Sequence, residues 1–70
     1  MKKMSQNEWV LKYMQEFGSI TPREADQGYG IMRLASRIHE LRAEGHRIKS
    51  ENVYNKKTGR HHAVYTLEEE

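Results

Sequence analysis

Basic side chains cluster in the second half of this 70-residue sequence. Between residues 33 and 62 there are eight Lys or Arg but only three acidic residues, which are Glu40, Glu44 and Glu51. Such an excess of positive charge favours a polyanionic partner, although a solvated basic surface with no partner has the same composition. The net charge of +2 understates the excess, because three of the ten acids stand in the final EEE.

Four candidate contact residues fall on a predicted helix that runs from about Ile31 to Glu44, just before Gly45. Its apolar residues recur at helical spacing and form one stripe, which consists of Ile31, Leu34, Ala35, Ile38 and Leu41. Taking about 100° per residue, Arg33 and Ser36 lie opposite this stripe, and Met32 and Arg37 flank it. Short polar and basic side chains therefore fill the outward face at the start of this helix.

These outward residues suit contacts with the bases of a nucleic acid. Arg33 can form two hydrogen bonds to guanine and Ser36 can bond to a base edge, although both also fit a solvated helix face. Arg37 suits either such a contact or an ion pair. Its candidate ion-pair partners are three acids, Glu24, Asp26 and Glu40. Arg42 lies close to the apolar stripe, where its stem covers the edge of the core, so we do not count it as a contact.

A second basic group surrounds a predicted β-hairpin turn. The segments HRIKSENVY and RHHAVYTL are rich in strand-forming residues, and NKKTG joins them with Gly59 as the left-handed residue of the turn. The expected inward residues are Ile48, Tyr65 and Leu67. The basic residues at the tip suit phosphate or minor-groove contact, or simply keep the turn soluble. These residues are Lys56, Lys57, Arg60 and His61.

The segment TPRE has the features of a helix start. Thr21 is the cap, Pro22 occupies the first helical position, and Glu24 follows the cap by three residues. Backbone N–H groups at a helix start favour a phosphate, which makes Thr21 and Arg23 candidate contacts. Plain capping is the alternative role of Thr21.

Two glycines limit this second helix. Gly28 and Gly30 stand on either side of Tyr29, and glycine tolerates the positive φ of a tight turn. We therefore expect the helix to end by Gln27 and GYG to form a sharp turn before the third helix. Gly28 in particular is expected to loosen the end of the second helix.

A first helix is expected to begin at SQNE, where Ser5 and Glu8 are spaced as a capping box, and to end at Gly18. Its apolar stripe, which predicts a core element, consists of Trp9, Val10, Tyr13, Met14 and Phe17. The GSI that follows predicts a short extended step at Ser19 and Ile20, with Ile20 buried.

Several function classes find no support in the sequence. The chain has no cysteine, which excludes a disulfide framework and a zinc-thiolate site. His61 and His62 are adjacent in a predicted strand and point to opposite faces, so they cannot chelate one metal ion together. The sequence has no phosphate-loop motif and no evident carboxylate pair, so we expect neither an enzyme nor a cofactor. It also has no apolar run that suits a membrane span or a signal peptide, so we expect an intracellular protein.

The order of these elements predicts an α+β fold with the architecture of a winged helix-turn-helix, made of three helices and a C-terminal β-hairpin wing. The expected domain spans residues 1–67, and residues 68–70 are expected to form a disordered acidic tail. In this architecture the third helix enters the major groove of double-stranded DNA with its N-terminal residues first.

The motifs G-S-I-T-x-x-E-A, Y-G-I-x-R-L-A-x-R-I-x-x-L-R-x-x-G and Y-x-L resemble a family of small winged helix-turn-helix domains common in phage and prophage proteins. This sequence has them as GSITPREA, YGIMRLASRIHELRAEG and YTL, and the resemblance covers roughly residues 9–67. It implies DNA binding in a phage or host-control setting, and we expect a location in the cytoplasm of a bacterial host cell. It matches Arg33 and Arg37 to the family's two helix arginines, and Gly30 and Ile31 to the junction between turn and helix.

We therefore expect a protein that binds double-stranded DNA, either a transcriptional regulator or an excisionase-like factor. The alternative is a winged-helix module that binds a partner protein, such as an anti-repressor, because a fold does not decide its function. One helix reads only a few base pairs. A monomer, a weak or cooperative dimer on DNA, and a complex with a partner protein all remain open.

Overall fold

The computed structural model describes residues 4–68 and has three helices and three strands. The elements are α1 (Gln6–Phe17), β1 (Ser19–Ile20), α2 (Pro22–Tyr29), α3 (Leu34–Ala43), β2 (Ile48–Asn55) and β3 (Arg60–Leu67). The strands form one antiparallel sheet in the order β1-β3-β2. This arrangement confirms the expected α+β class, including the short first strand. Within residues 4–68, every helix is too short or too polar to cross a membrane.

Capping boxes begin both α1 and α2, as the sequence predicts. The Ser5 hydroxyl oxygen accepts a hydrogen bond from the Glu8 amide at 3.1 Å, and the Glu8 carboxylate accepts one from the Ser5 amide at 3.4 Å. At α2 the Thr21 oxygen accepts from the Glu24 amide at 3.2 Å, and the Glu24 carboxylate accepts from the Thr21 amide at 2.9 Å. Amide groups that a helix start leaves unpaired are thus bonded at both sites.

An aliphatic core joins the helices to the sheet. All three helices, β1, β2 and the turn before α3 contribute to it, through Val10, Met14, Ile20, Ala25, Ile31, Leu34, Ile38, Leu41 and Ile48. Tyr65 and Leu67 of β3 pack against it, so the three inward residues expected for the hairpin are confirmed. Two residues of the expected stripes are instead exposed. Ala35 is rotated away from the line of Leu34, Ile38 and Leu41, and Phe17 lies at the last turn of α1 with its ring on Tyr13, at a centroid distance of 4.6 Å.

The prediction that α2 ends by Gln27 was wrong, because the helix continues through Gly28 to Tyr29. Gly28 serves close packing there. A Cβ atom at this position would lie 2.6 Å from Cζ2 and Cη2 of Trp9. The Trp9 indole also stacks on the Tyr29 ring, with ring centroids 5.4 Å apart and an interplanar angle of 12°. Gly28 therefore lets α1 and α2 approach, and the expected loosening of the helix end is replaced by a packed contact.

The third helix begins at Leu34 rather than at Ile31, which corrects the predicted start. Gly30 adopts a left-handed φ of 65°, and its amide donates to the Asp26 carbonyl at 2.9 Å. The Ile31 amide then donates to the Ala25 carbonyl at 3.1 Å, while its side chain enters the core. Residues 31–33 consequently form a turn. A spacing of three residues between Ile31 and Leu34 suits a helix and a buried turn equally, which is why the sequence pattern did not separate them.

The hairpin pairs eight residues of β2 with eight of β3, from Ile48 opposite Leu67 to Asn55 opposite Arg60. Gly59 has the expected left-handed φ, 70°. The amide of Glu68 still donates to the Arg47 carbonyl, at 2.9 Å, one residue beyond β3. The other residues of the expected tail, 69 and 70, lie outside the described range.

The Gly28 contact predicts a context-dependent effect of Gly28→Ala. We expect overpacking against the indole to cost about 1–3 kcal/mol of unfolding free energy, which exceeds the gain in helix propensity of about 1 kcal/mol. In a Trp9→Phe background, which lacks the far ring atoms, the same change should be neutral or stabilising. Urea unfolding followed by circular dichroism measures all four proteins. An equal effect of Gly28→Ala in both backgrounds, of either sign, would contradict the packing of Gly28 against Trp9.

Candidate nucleic-acid interface

The start of α3 is electrostatically unlike the starts of α1 and α2. Arg33 occupies its cap position without a side-chain cap bond, and its first turn contains no acidic residue. The Arg33 carbonyl accepts from the amides of Ser36 and Arg37, at 3.2 and 3.4 Å. Positive side chains thus stand at the end of a helix where the backbone dipole is also positive. This arrangement is unfavourable in isolation and attracts an anion or a hydrogen-bond acceptor.

The turn before α3 presents Met32 and Arg33 to solvent. Ile31 and Leu34, on either side of them, are 1% and 2% exposed, whereas Met32 is 89% exposed. Because both flanking side chains are fixed in the core, the two between them must point outward. Arg33 is therefore presented as the sequence predicts, but from a turn and not from the helix itself.

Ser36 and Arg37 extend this surface along the first turn of α3. Ser36 is exposed. Nε of Arg37 lies 3.1 Å from Oε1 of Glu40, which identifies Glu40 among the three predicted ion-pair partners. The side chains are 30% and 48% exposed. Nε of Arg37 is itself buried although both side chains are partly exposed, and such an ion pair contributes at most about 1 kcal/mol.

Arg42, near the other end of α3, has a structural role. Its Nε and Nη2 both donate to the carbonyl oxygen of Ile48, at 3.0 and 2.7 Å. This pair of bonds holds the end of α3 against the start of β2. Arg42 is therefore engaged within the fold, in agreement with its exclusion from the candidate contacts.

The hairpin tip is closed by its own polar groups. The Lys57 amide donates to the Asn55 side chain at 2.9 Å, the Gly59 amide to the Asn55 carbonyl at 2.8 Å, and the Arg60 amide to the Thr58 hydroxyl at 3.3 Å. The side chains of residues 56 and 57 are exposed outside this network. These hydrogen bonds fix the backbone of the turn, so Lys56 and Lys57 project from a defined position.

One groove is lined by two parts of the predicted site that are distant in sequence, namely the start of α2 and the hairpin. It runs between the start of α2 and the outer part of β3, and its lining includes Arg23, Arg60 and His61. The remaining lining residues are Thr21, Pro22, Asn55, Thr58, His62 and Ala63. Lys56 and Lys57 instead border a separate depression, which they share with Val53, Tyr54, Asn55 and His62. Residues 32–37 line neither feature.

Sequence reasoning missed Asn55, Thr58 and His62 as members of this surface. Asn55 and Thr58 carry a usable signal, because Asn and Thr side chains in a glycine-containing turn bond to nearby amides. No local sequence pattern predicts that the start of α2 lies near β3, since this arrangement depends on how the whole chain folds.

Thr21 and Glu24 form a network that holds the start of α2 against α1. The Tyr13 hydroxyl donates to Oε2 of Glu24 at 3.1 Å, while Oε1 of the same carboxylate accepts from the Thr21 amide. Desolvation raises the pKa of Tyr13, and the hydrogen bond to Glu24 and the carboxylate charge raise this pKa further. The hydroxyl oxygen of Thr21 already accepts a bond from the Glu24 amide, which supports its capping role.

Metal binding finds no support in the part of the chain that the structure describes. Across residues 4–68 no three His, Asp or Glu side chains are grouped so as to hold a metal ion. His61 and His62 are paired opposite Tyr54 and Val53. The ring of His61 packs on that of Tyr54, with centroids 4.9 Å apart.

The chain matches a known family of protein domains. A family model described as a winged helix-turn-helix domain matches residues 5–70, almost the full length of the chain. No curated protein and no solved structure matches the chain significantly.

The link between Tyr13 and Glu24 predicts a pH dependence of stability. The pKa of the Tyr13 hydroxyl is higher in the folded protein than in the unfolded chain, so its stabilising contribution is complete below about pH 9 and is lost as the pH rises above about 10. We expect Tyr13→Phe to unfold more easily than the parent at pH 8, and the difference to narrow by pH 11. Urea titrations across this range provide the measurement. Tyr54→Phe, which removes an exposed tyrosine hydroxyl of β2, is the matched control. An equal narrowing in this variant would contradict the role of the bond between Tyr13 and Glu24.

Proposed function

The chain belongs to the family of winged helix-turn-helix domains, and from this premise we propose that it binds double-stranded DNA in a sequence-specific manner. The turn at residues 32–33 and the first turn of α3 enter the major groove. The hairpin of β2 and β3 acts as the wing and lies along the sugar-phosphate backbone or the adjacent minor groove. The protein acts by binding, without catalysis.

The observation that carries this proposal is the uncapped, basic start of α3. The same chain closes α1 and α2 with capping boxes that each contain a Glu, yet it begins α3 with Arg33 and continues with Arg37. Base edges and phosphates supply the acceptors and the negative charge that this helix start lacks. Binding therefore relieves an electrostatic cost that is present in the unbound protein.

The groove between α2 and β3 supports the same proposal. Arg23 and Arg60 lie on its two sides, and His61 lines it as well. A phosphate strand that passes from the major groove towards the wing meets positive charge from both elements. Lys56 and Lys57, on the separate depression at the tip, extend this contact to neighbouring phosphates.

A domain of this size with one reading helix suits a small regulator or an architectural factor. We propose a transcriptional regulator or an excisionase-like protein, in a phage or prophage setting. One copy contacts few base pairs, so tight binding requires a second copy or a neighbouring protein on the DNA.

A backbone-assigned NMR titration with a mixed-sequence duplex tests the docking, first at low salt and then near physiological ionic strength. We expect salt-sensitive shifts at residues 31–40 and 55–62, and at Arg23. Scattered or absent shifts at low salt would overturn the proposal. Salt-resistant binding to a protein, with no response to DNA, would favour an interaction module such as an anti-repressor.

For a duplex selected from a random library, Arg33→Ala should weaken binding by about 1–3 kcal/mol and relax preference at one base pair. Arg33→Lys is the matched control, because it keeps the charge but loses the planar pair of donors that reads guanine. Fluorescence anisotropy against single-position duplex variants gives both values. Full affinity and unchanged preference in Arg33→Ala would show that this residue reads no base.

Lys57→Ala should weaken binding to every duplex alike. Loss of one phosphate contact should reduce the slope of log K against log salt concentration by about 1. The control is Lys12→Ala, which removes the same charge from an exposed position of α1 that lines neither the groove nor the depression. An equal change of slope in both variants would mean that net charge, and not the wing contact, sets the salt dependence.

A further inference from the structure

We infer that Met32 reads thymine in the major groove, by packing its side chain on the C5-methyl group next to the base contacted by Arg33. This inference rests on the DNA binding proposed above. It names a base that the surface selects and assigns the selection to one side chain.

The exposure of Met32 is the starting observation. Met32 is 89% exposed, compared with 66% for Phe17 and 53% for Tyr54. The chain is poor in apolar residues, with a mean hydropathy of −1.01, and nine side chains form the buried core of residues 4–68. A protein this small gains most by burying its apolar residues. Met32 is the most exposed of the large apolar side chains in residues 4–68, so it is accessible to a ligand.

The backbone keeps Met32 from turning inward. Ile31 and Leu34 occupy the core on either side of it, and the Ile31 amide is bonded to the Ala25 carbonyl. The outward position is a consequence of two buried neighbours, so it persists whether or not a ligand is present. Met32 is thus presented at a fixed place on the surface, although its own side chain is flexible.

The surroundings of Met32 suit a base and not an apolar partner surface. The exposed residues nearest to it in the sequence are Gly30, Arg33, Ala35 and Ser36, which are small or polar. A protein-docking patch needs a few hundred Å² of contiguous apolar surface, which one methionine among these residues does not provide. The thymine methyl is a single apolar group on a polar groove floor, and an unbranched thioether can adapt to it.

The adjacency of Met32 and Arg33 also defines what should be read. Arginine reads guanine through two parallel hydrogen bonds, and the side chain before it in the turn reaches a neighbouring step. The preferred site should therefore contain a thymine close to a guanine in the contacted groove, on either strand.

The test uses the full chain and a duplex selected by it from a random library. Each thymidine is replaced in turn by 2′-deoxyuridine, which pairs identically and lacks only the methyl group. We expect one position at which the replacement weakens binding about fourfold, the effect of one methyl group removed from an apolar contact. Met32→Ala should abolish this difference, and Met32→Leu should retain it.

Phe17→Ala, a change at an exposed apolar residue of α1, is the matched control and should keep the full discrimination. Circular dichroism confirms that each variant is folded. One outcome is that the parent binds every deoxyuridine-substituted duplex as tightly as the original duplex, while Arg33→Ala still weakens binding. In that case the Met32 inference is overturned and the DNA proposal stands. Discrimination that survives in Met32→Ala overturns it too. If the selection yields no bound duplex at all, the proposed function itself fails.

Discussion

Burial of Ile31 is the contact on which the presented surface depends. The residue lies outside any helix, yet it is 1% exposed, and its amide closes the end of α2 through the Ala25 carbonyl. It therefore fixes the angle at which the chain leaves α2 and the point at which α3 begins. The projection of Met32 and Arg33 follows from this anchor. The stability of the core and the outward position of Met32 and Arg33 therefore depend on the same side chain.

The division of labour between aliphatic and aromatic residues explains how so few residues hold the fold. The fully buried core is aliphatic, with one methionine, and within the described range no polar or charged residue is buried. Four aromatic rings form a row at its edge, in the order Tyr29, Trp9, Tyr13 and Phe17, with centroid distances of 4.6–5.4 Å. The row joins α1 to α2 and is reinforced by the bond from Tyr13 to Glu24. This edge keeps the helix pair together without enlarging the core.

Local chemistry made much of the fold predictable. Capping boxes at Ser5 and Thr21 and the turn glycine at position 59 act within a few residues, so the sequence placed the corresponding elements well. The errors occurred where a distant contact decided the outcome. Gly28 continues a helix because Trp9 lies against it, and nothing near position 28 in the sequence carries that information. The same holds for the groove that Arg23 and Arg60 both line. The outward basic residues of α3 were identifiable, since buried neighbours at regular spacing define what must face solvent.

The order of strands in the sheet has a consequence for biosynthesis. β3 is the last strand along the chain and lies between the other two, so β1 and β2 have no contact in the ladder without it. Ile20 of β1 pairs with Tyr65 and Ile48 of β2 pairs with Leu67, so both pairings depend on the last strand of the chain. A chain that is synthesised from its N-terminus cannot complete the sheet until residues 60–67 are available to pair. Until then Ile20 and Ile48 can pack only against the core residues of the helices, which precede β3 in the chain, and these helices must keep the emerging chain compact.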